Sequence, residues 1–169
     1  MSETPLVQRP VRAGTEMTEL ARFLTDVTWT GMIEPGGMGP GSPPMTAIGE
    51  GTHTTIQNGL WIVGDYRQDQ YLSDGSFVLT WELHWVAGWD ATSREYVATH
   101  ADNYGRAGVL RGRIAGDRLV FESPAGLPVR IRLTWDLRTA DRLTWRNEIS
   151  VDGRPWALVE QYDCLVTVS

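Results

Sequence analysis

Residues 74–90 read DGSFVLTWELHWVAGWD, with Trp81, Trp85 and Trp89 recurring every four positions. That interval suits one face of a helix, and because it is even it also suits one face of a strand. The surroundings arbitrate. Asp74-Gly75 is a turn dipeptide, Gly88 interrupts the far end, and Phe77, Val78, Thr80 and Val86 favour a pleated backbone. The segment reads as a strand over 76–87, and the rest of the chain follows the same grammar. Further strands are expected at 46–57, 60–68, 95–103, 107–114, 118–123, 128–137, 142–151 and 156–168. Turn dipeptides at Asn58-Gly59, Gly116-Asp117 and Asp152-Gly153 punctuate them. Upstream, Val27, Trp29, Gly31 and Ile33 alternate with Thr28, Thr30 and Met32 as a first strand. Only residues 15–25, TEMTELARFLT, carry helical spacing, through Met17, Leu20, Ala21 and Leu24. Residues 1–14 read as a flexible lead-in to a single domain over 15–169. Consecutive strands with short turns imply an up-and-down antiparallel sheet, and closure into a barrel of about 8–10 strands removes its edges.

Composition narrows the function. The 169 residues include 15 basic side chains, all arginine, against 21 acidic ones, for a net charge of −6. That balance argues against nucleic acid or an anionic membrane surface as partner. No apolar run approaches the roughly 20 residues of a membrane-spanning helix, and Met1 to Arg12 lack a signal-type apolar stretch, so the cytoplasm is the expected location. The single cysteine, Cys164, has no partner for an internal disulfide or a metal knuckle, and its apolar neighbours make it a core residue. There is no Gly-rich phosphate loop before a helix, no Gly-x-Ser-x-Gly elbow and no Cys-x-x-Cys, so nucleotide-dependent transfer and serine-hydrolase chemistry are not expected. Residues 34–44, EPGGMGPGSPP, hold four Gly and four Pro and read as a long connection or lid. Eight Trp and five Tyr stand against three Phe, so most rings carry a polar handle as well as an apolar body.

Several positions have the chemistry of a site. Strand 95–103 places Tyr96, Ala98, His100 and Asp102 on one face, with the imidazole of His100 roughly 7 Å along the strand from the Asp102 carboxyl. Such a pair suits general acid/base work near neutral pH. The neighbouring strand carries Glu82 and His84 on one face and Trp81, Leu83 and Trp85 on the other. A hairpin pairing residues whose numbers sum to an even value brings Glu82 and His84 beside His100 and Asp102; an odd sum brings the tryptophans. Catalytic candidates are thus His100, Asp102 and Glu82. Ligand-binding candidates are Trp81, Trp85, His84, Tyr104, Tyr162 and Tyr66, the last next to Gly64, which leaves room on a wall. The C-terminal strand places Trp156, Leu158, Glu160, Tyr162 and Cys164 together. No metal site is expected, since ligands two apart on a polar strand are a weak signal.

Two resemblances add to this. The helix leading into Val27-Thr28-Trp29-Thr30-Gly31 is similar to the opening of calycin, lipocalin-like barrels, in which a first-strand Trp plugs one end. The order Gly88-Trp89-Asp90, Tyr96, Asp102-Asn103-Tyr104-Gly105, then Gly112, Gly116-Asp117, Leu119 and Phe121, resembles the bacterial family named domain of unknown function 1579. It covers residues 15–168 and implies a lipocalin-like barrel without supplying a reaction. Where that family often has an aromatic residue two positions before the Asp, this chain has His100. The nitrobindin group of haem barrels also opens with a Gly/Pro-rich segment after a first-strand Trp, but its iron ligand is a histidine near the C-terminus. Here the last histidine is His100. The expectation is a barrel holding a hydrophobic small molecule without a cofactor, either an isomerase or cyclase of a specialised metabolite or a carrier or sensor. A surface of exposed tryptophans, including that of a homodimer, would be the remaining use of the indoles.

Overall fold

The structure, a computed structural model, describes residues 12–167. It is a closed antiparallel barrel in which every strand pairs with its sequence neighbours and the last pairs with the first. The helix α1 (Thr15–Ala21) precedes β1 (Val27–Ile33), β2 (Met45–Ile56), β3 (Trp61–Tyr71), β4 (Phe77–Asp90) and β5 (Glu95–Asp102). The barrel continues through β6 (Ala107–Ala115), β7 (Arg118–Glu122), β8 (Val129–Thr139), β9 (Arg142–Val151) and β10 (Ala157–Val166). The segment that opened the reading is β4, the longest strand at 14 residues. No helix among the described residues is long and apolar enough to cross a membrane.

The turns form where the dipeptides stand. Gly75, Gly116 and Gly153 take positive φ, as do Asn58 and Asp152, the left-handed conformations that tight hairpin connections need. Closure fixes which face points inward. In the β4–β5 hairpin Trp85 pairs with His100 and Leu83 with Asp102, so the tryptophan face of β4 joins the His100 face of β5 inside the barrel. Inside, the wall thins to glycine beneath several of the rings. A Cβ on Gly112 would sit 2.5 Å from the Phe121 ring and one on Gly51 2.7 Å from the Tyr66 ring. Gly49 is similarly covered by Trp29 and Gly31 by Tyr162. None of the eight tryptophans is exposed, so they do not form a surface patch.

The two ends differ. At one, α1 and the turn after it push Met17, Leu20, Phe23 and Leu24 into the barrel core. The Tyr96 hydroxyl donates to the Glu16 carbonyl at 3.0 Å, and Arg22 pairs with Asp117 at 2.7 Å, which fix the plug to the strands. The helix is shorter than the 15–25 expected because hydrogen bonds from Phe23 and Leu24 back to the Leu20 carbonyl close its last turn and the chain then enters β1. At the other end the Gly/Pro segment 34–44 folds back on itself. Gly37 donates to Glu34, Ser42 to Gly39, and the Met38 amide to the Ser42 hydroxyl, which sets Met38 against the core.

Candidate functional site

The barrel interior holds a cavity with two adjoining parts. Near the plugged end is a space of about 50 Å³ walled by Trp29, Tyr66, Trp85, Trp135, Trp145 and Tyr162. The rings lock one another: Trp145 stacks on Tyr162 at 5.2 Å, Trp29 stacks on Tyr162 at 6.1 Å, and Trp85 tilts against Trp135 at 6.0 Å. Towards the open end is a larger space of about 220 Å³, bounded by Met38 of the loop and by Gln70, His100, Arg106, Asn147 and Glu160. The two parts share Gln68, Trp81, Leu83, Trp85, Leu133 and Trp145. The larger part has room for about seven waters at the liquid's share of roughly 30 Å³ each, which is the scale of a small aromatic or bicyclic molecule.

At the floor the polar groups pair with one another. His53 Nε2 meets the Tyr66 hydroxyl at 2.6 Å, and the Asp26 carboxylate accepts from the His53 amide at 2.6 Å. Burial lowers the His53 pKa to about 4 against the pull of Asp26. Burial also raises the Tyr66 phenol and pushes the Cys164 thiol up to about 12, so neither is an activated nucleophile.

At the mouth the pairing is incomplete. The His100 ring stacks on Trp85 at 6.3 Å, and its Nε2 lies over Gly108, where a Cβ would stand 2.7 Å away. Burial lowers its pKa, outweighing the opposing charge of Asp102, so the imidazole is neutral at pH 7. Asp102 does not orient it. Burial favours the neutral acid of Asp102, but hydrogen bonds from the Arg106 and Tyr104 amides and the Arg106 side chain outweigh this and hold it below the usual carboxylate range. Those bonds measure 2.9, 3.0 and 2.6 Å, and the Trp81 indole adds a longer one of 3.4 Å. Asp102 is therefore the clasp of the β5–β6 turn and acts on His100 only through its charge.

A second carboxyl occupies the facing wall. Glu160 accepts from Asn147 Nδ2 at 3.0 Å and from the Tyr162 hydroxyl. Burial raises its pKa despite those donors and the nearby charge of Arg106. Beside it, Gln68 accepts from the Trp29 indole at 3.0 Å. Buried polar atoms without a protein partner include Gln70 Oε1, Asn147 Oδ1 and Trp85 Nε1, all from residues on the cavity wall.

No family model matches the chain, and no curated protein matches it. Among solved structures it is similar to the crystal structure of Rv2717c from M. tuberculosis. The TM-score is 0.61 at 13% identity, over 92% of this chain and 99% of that one. At that identity the likeness shows the barrel fold alone.

The barrel brings His100, Asp102, Trp81, Trp85, Tyr66 and Tyr162 to the cavity. It leaves the other three candidates outside, which corrects the expectation for each. Glu82 and His84 lie on the outer face of β4 because the hairpin register is the odd one; Glu82 pairs with Arg67 at 2.8 Å and His84 with Asp65 at 2.7 Å, both in solvent. Tyr104 is exposed in the β5–β6 turn under the Arg106 guanidinium. The C-terminal strand also departs from strict alternation. A register shift between Leu158 and Glu160 turns Leu158 outward and Val159 inward while keeping Glu160 on the cavity wall, and Trp156 sits outside β10 beneath Arg132. Glu160, Gln68, Gln70, Asn147 and Arg106 were not among the candidates. The signal available for Gln68 and Gln70 was their shared face with Tyr66 on β3.

Proposed function

We propose that this barrel binds a small, mainly hydrophobic metabolite and acts on it as a cofactor-independent isomerase or cyclase of specialised biosynthesis. The observation that carries the reading is the polarity gradient of one interior: indole and phenol rings at the floor, and Glu160, Gln70, Asn147 and the His100 imidazole at the mouth. An apolar pocket with a few placed polar groups is the usual build of a ligand site. The ring floor takes the hydrophobic body of the ligand and fixes its orientation. The neutral imidazole of His100, which borders the larger space and is not engaged in a hydrogen-bonded ion pair as Asp102 is, takes a proton from one carbon of the substrate and returns it to another. A single base that gives back the proton it removed needs no second acid and no cofactor.

A carrier or sensor without chemistry is the second reading, and one observation favours it: no carboxylate hydrogen-bonds His100, because Asp102 is committed to Arg106. Haem does not fit the residues present. The strands β9 and β10 bring no imidazole to the cavity wall, and a porphyrin exceeds a space of about 220 Å³.

Quenching of tryptophan fluorescence by a panel of small hydrophobic compounds identifies binders, and each binder is then followed by NMR. The enzyme reading expects an isomer of unchanged mass to accumulate. In His100→Ala that product should vanish while affinity stays within about tenfold of wild type. Binders returned unchanged by the wild type support the carrier, and a panel with no binders rejects both.

A further inference from the structure

The hydrogen bonds around Glu160 run in one direction. An indole N–H can only donate, so the bond from Trp29 fixes Gln68 Oε1 as acceptor and turns the Gln68 amide nitrogen towards Glu160 and Tyr162. Tyr162 donates its hydroxyl to Glu160, and Asn147 donates its amide. Both hydrogen-bonded neighbours of the carboxyl are therefore donors, and they use two of its roughly four lone-pair sites. Orienting Asn147 this way leaves its Oδ1 unpartnered, a second acceptor. A third is Gln70 Oε1, on a side chain that is 1% exposed yet borders the cavity.

The charges on the cavity wall agree. Asp102 and Arg106 neutralise each other at 2.6 Å, and His100 is uncharged at neutral pH. The remaining ionisable group is Glu160, whose burial disfavours the carboxylate until a cation sits beside it. The groups facing it are Tyr162 on its own strand, Asn147 on β9, Gln68 on β3 and the guanidinium of Arg106 across the mouth. An anionic ligand would meet a carboxyl and two carbonyl oxygens. A donor-bearing cation would satisfy all three, with the rings of Trp81 and Trp145 alongside for cation–π contact.

Resting on the reading of the barrel as a small-molecule site, we infer that its ligand is an arylalkyl amine, bound with the ammonium among Glu160, Gln70 and Asn147 and the ring in the indole floor. The acceptors define the end that recognises charge, and the floor accommodates the flat apolar remainder.

The test titrates the whole protein with phenethylamine, phenethyl alcohol and phenylpropanoate, which share a ring and differ in the charge of the head. Phenethylamine is expected to bind at least tenfold tighter than phenylpropanoate, and in Glu160→Gln the preference should fall to within threefold. Equal or tighter binding of phenylpropanoate, or a preference that survives in Glu160→Gln, overturns the inference. Arg106→Gln gives an independent check should Glu160→Gln fail to fold. Removing the guanidinium is expected to widen the amine preference at least threefold, and no widening counts against the charge argument. Binding of the alcohol without amine preference defeats this inference alone, as does failure of all three compounds when others of the hydrophobic panel bind; failure of the whole panel defeats the small-molecule reading with it.

Discussion

The floor and the mouth of this barrel both set polar side chains among rings, sparsely at the floor and densely at the mouth, and do different work. At the floor most polar groups have found a protein partner, Trp29 with Gln68, His53 Nε2 with Tyr66 and Tyr96 with the Glu16 carbonyl, and the exceptions are His53 Nδ1 and the Trp85 indole N–H. At the mouth Gln70 Oε1 and Asn147 Oδ1 have none, and His100 keeps its position by stacking rather than by hydrogen bonding. The difference teaches where stability ends and recognition begins. Interlocked rings and mostly satisfied polar groups hold the closed end together, while the unpartnered amide oxygens of Gln70 and Asn147 border the larger space where a ligand or solvent can meet them.

Substitutions at the two ends should separate sharply. Phe23, 1% exposed in the plug, is expected to cost about 3–5 kcal/mol of stability as Phe23→Ala. Urea denaturation measures this, and a loss below about 1 kcal/mol would mean that the helix does not close the floor. Next in size is the floor histidine. His53 has a folded pKa of about 4 against 6.5 when unfolded, so the unfolded chain binds the extra proton first as pH falls. Stability is full above about pH 6.5 and declines towards pH 4, by up to about 3 kcal/mol. His53→Gln should flatten that slope in melts run across the window, and an unchanged slope would place the acid sensitivity elsewhere. The mouth should respond least. Arg106→Ala breaks a pair whose guanidinium is largely in solvent, and the two backbone amides still hold Asp102, so about 1 kcal/mol is expected. Its more telling effect is electrostatic. Loss of a neighbouring positive charge must raise the His100 pKa, since Arg106 is one of the groups that lower it. NMR titration of the imidazole reads that shift, and a fall would contradict the geometry.

The floor was legible in the sequence and most of the mouth was not. Alternation, turn dipeptides and the even spacing of Trp81, Trp85 and Trp89 suffice for strands, and a run of hairpins suffices for closure. Trp29, Tyr66 and Tyr162 announce themselves because rings on a barrel strand need an interior. The candidates Glu82 and His84 differ from His100 and Asp102 only by the parity of one hairpin, which depends on how the chain turns through 91–94, with Arg94 at positive φ. Glu160 was hidden for a different reason. Alternation does put it on the face of Tyr162 and Cys164, but a glutamate on that face has no visible role until Asn147 and Tyr162 are known to donate to it, and the bulge beside it misplaces only Leu158 and Trp156. Gln68 and Gln70 were obscured likewise, since polar residues alternating with Arg67 and Asp69 give both faces of β3 a hydrophilic appearance.

The central claim is that the interior of the barrel is the ligand site, and filling it tests that most directly. Leu83 borders both parts of the cavity. Leu83→Trp should place an indole in the space while the barrel still melts cooperatively. A compound that quenches the wild-type tryptophans saturably is expected to bind the filled variant at least tenfold more weakly. Unchanged affinity in a folded Leu83→Trp protein would show that ligands bind outside the barrel and would contradict the account.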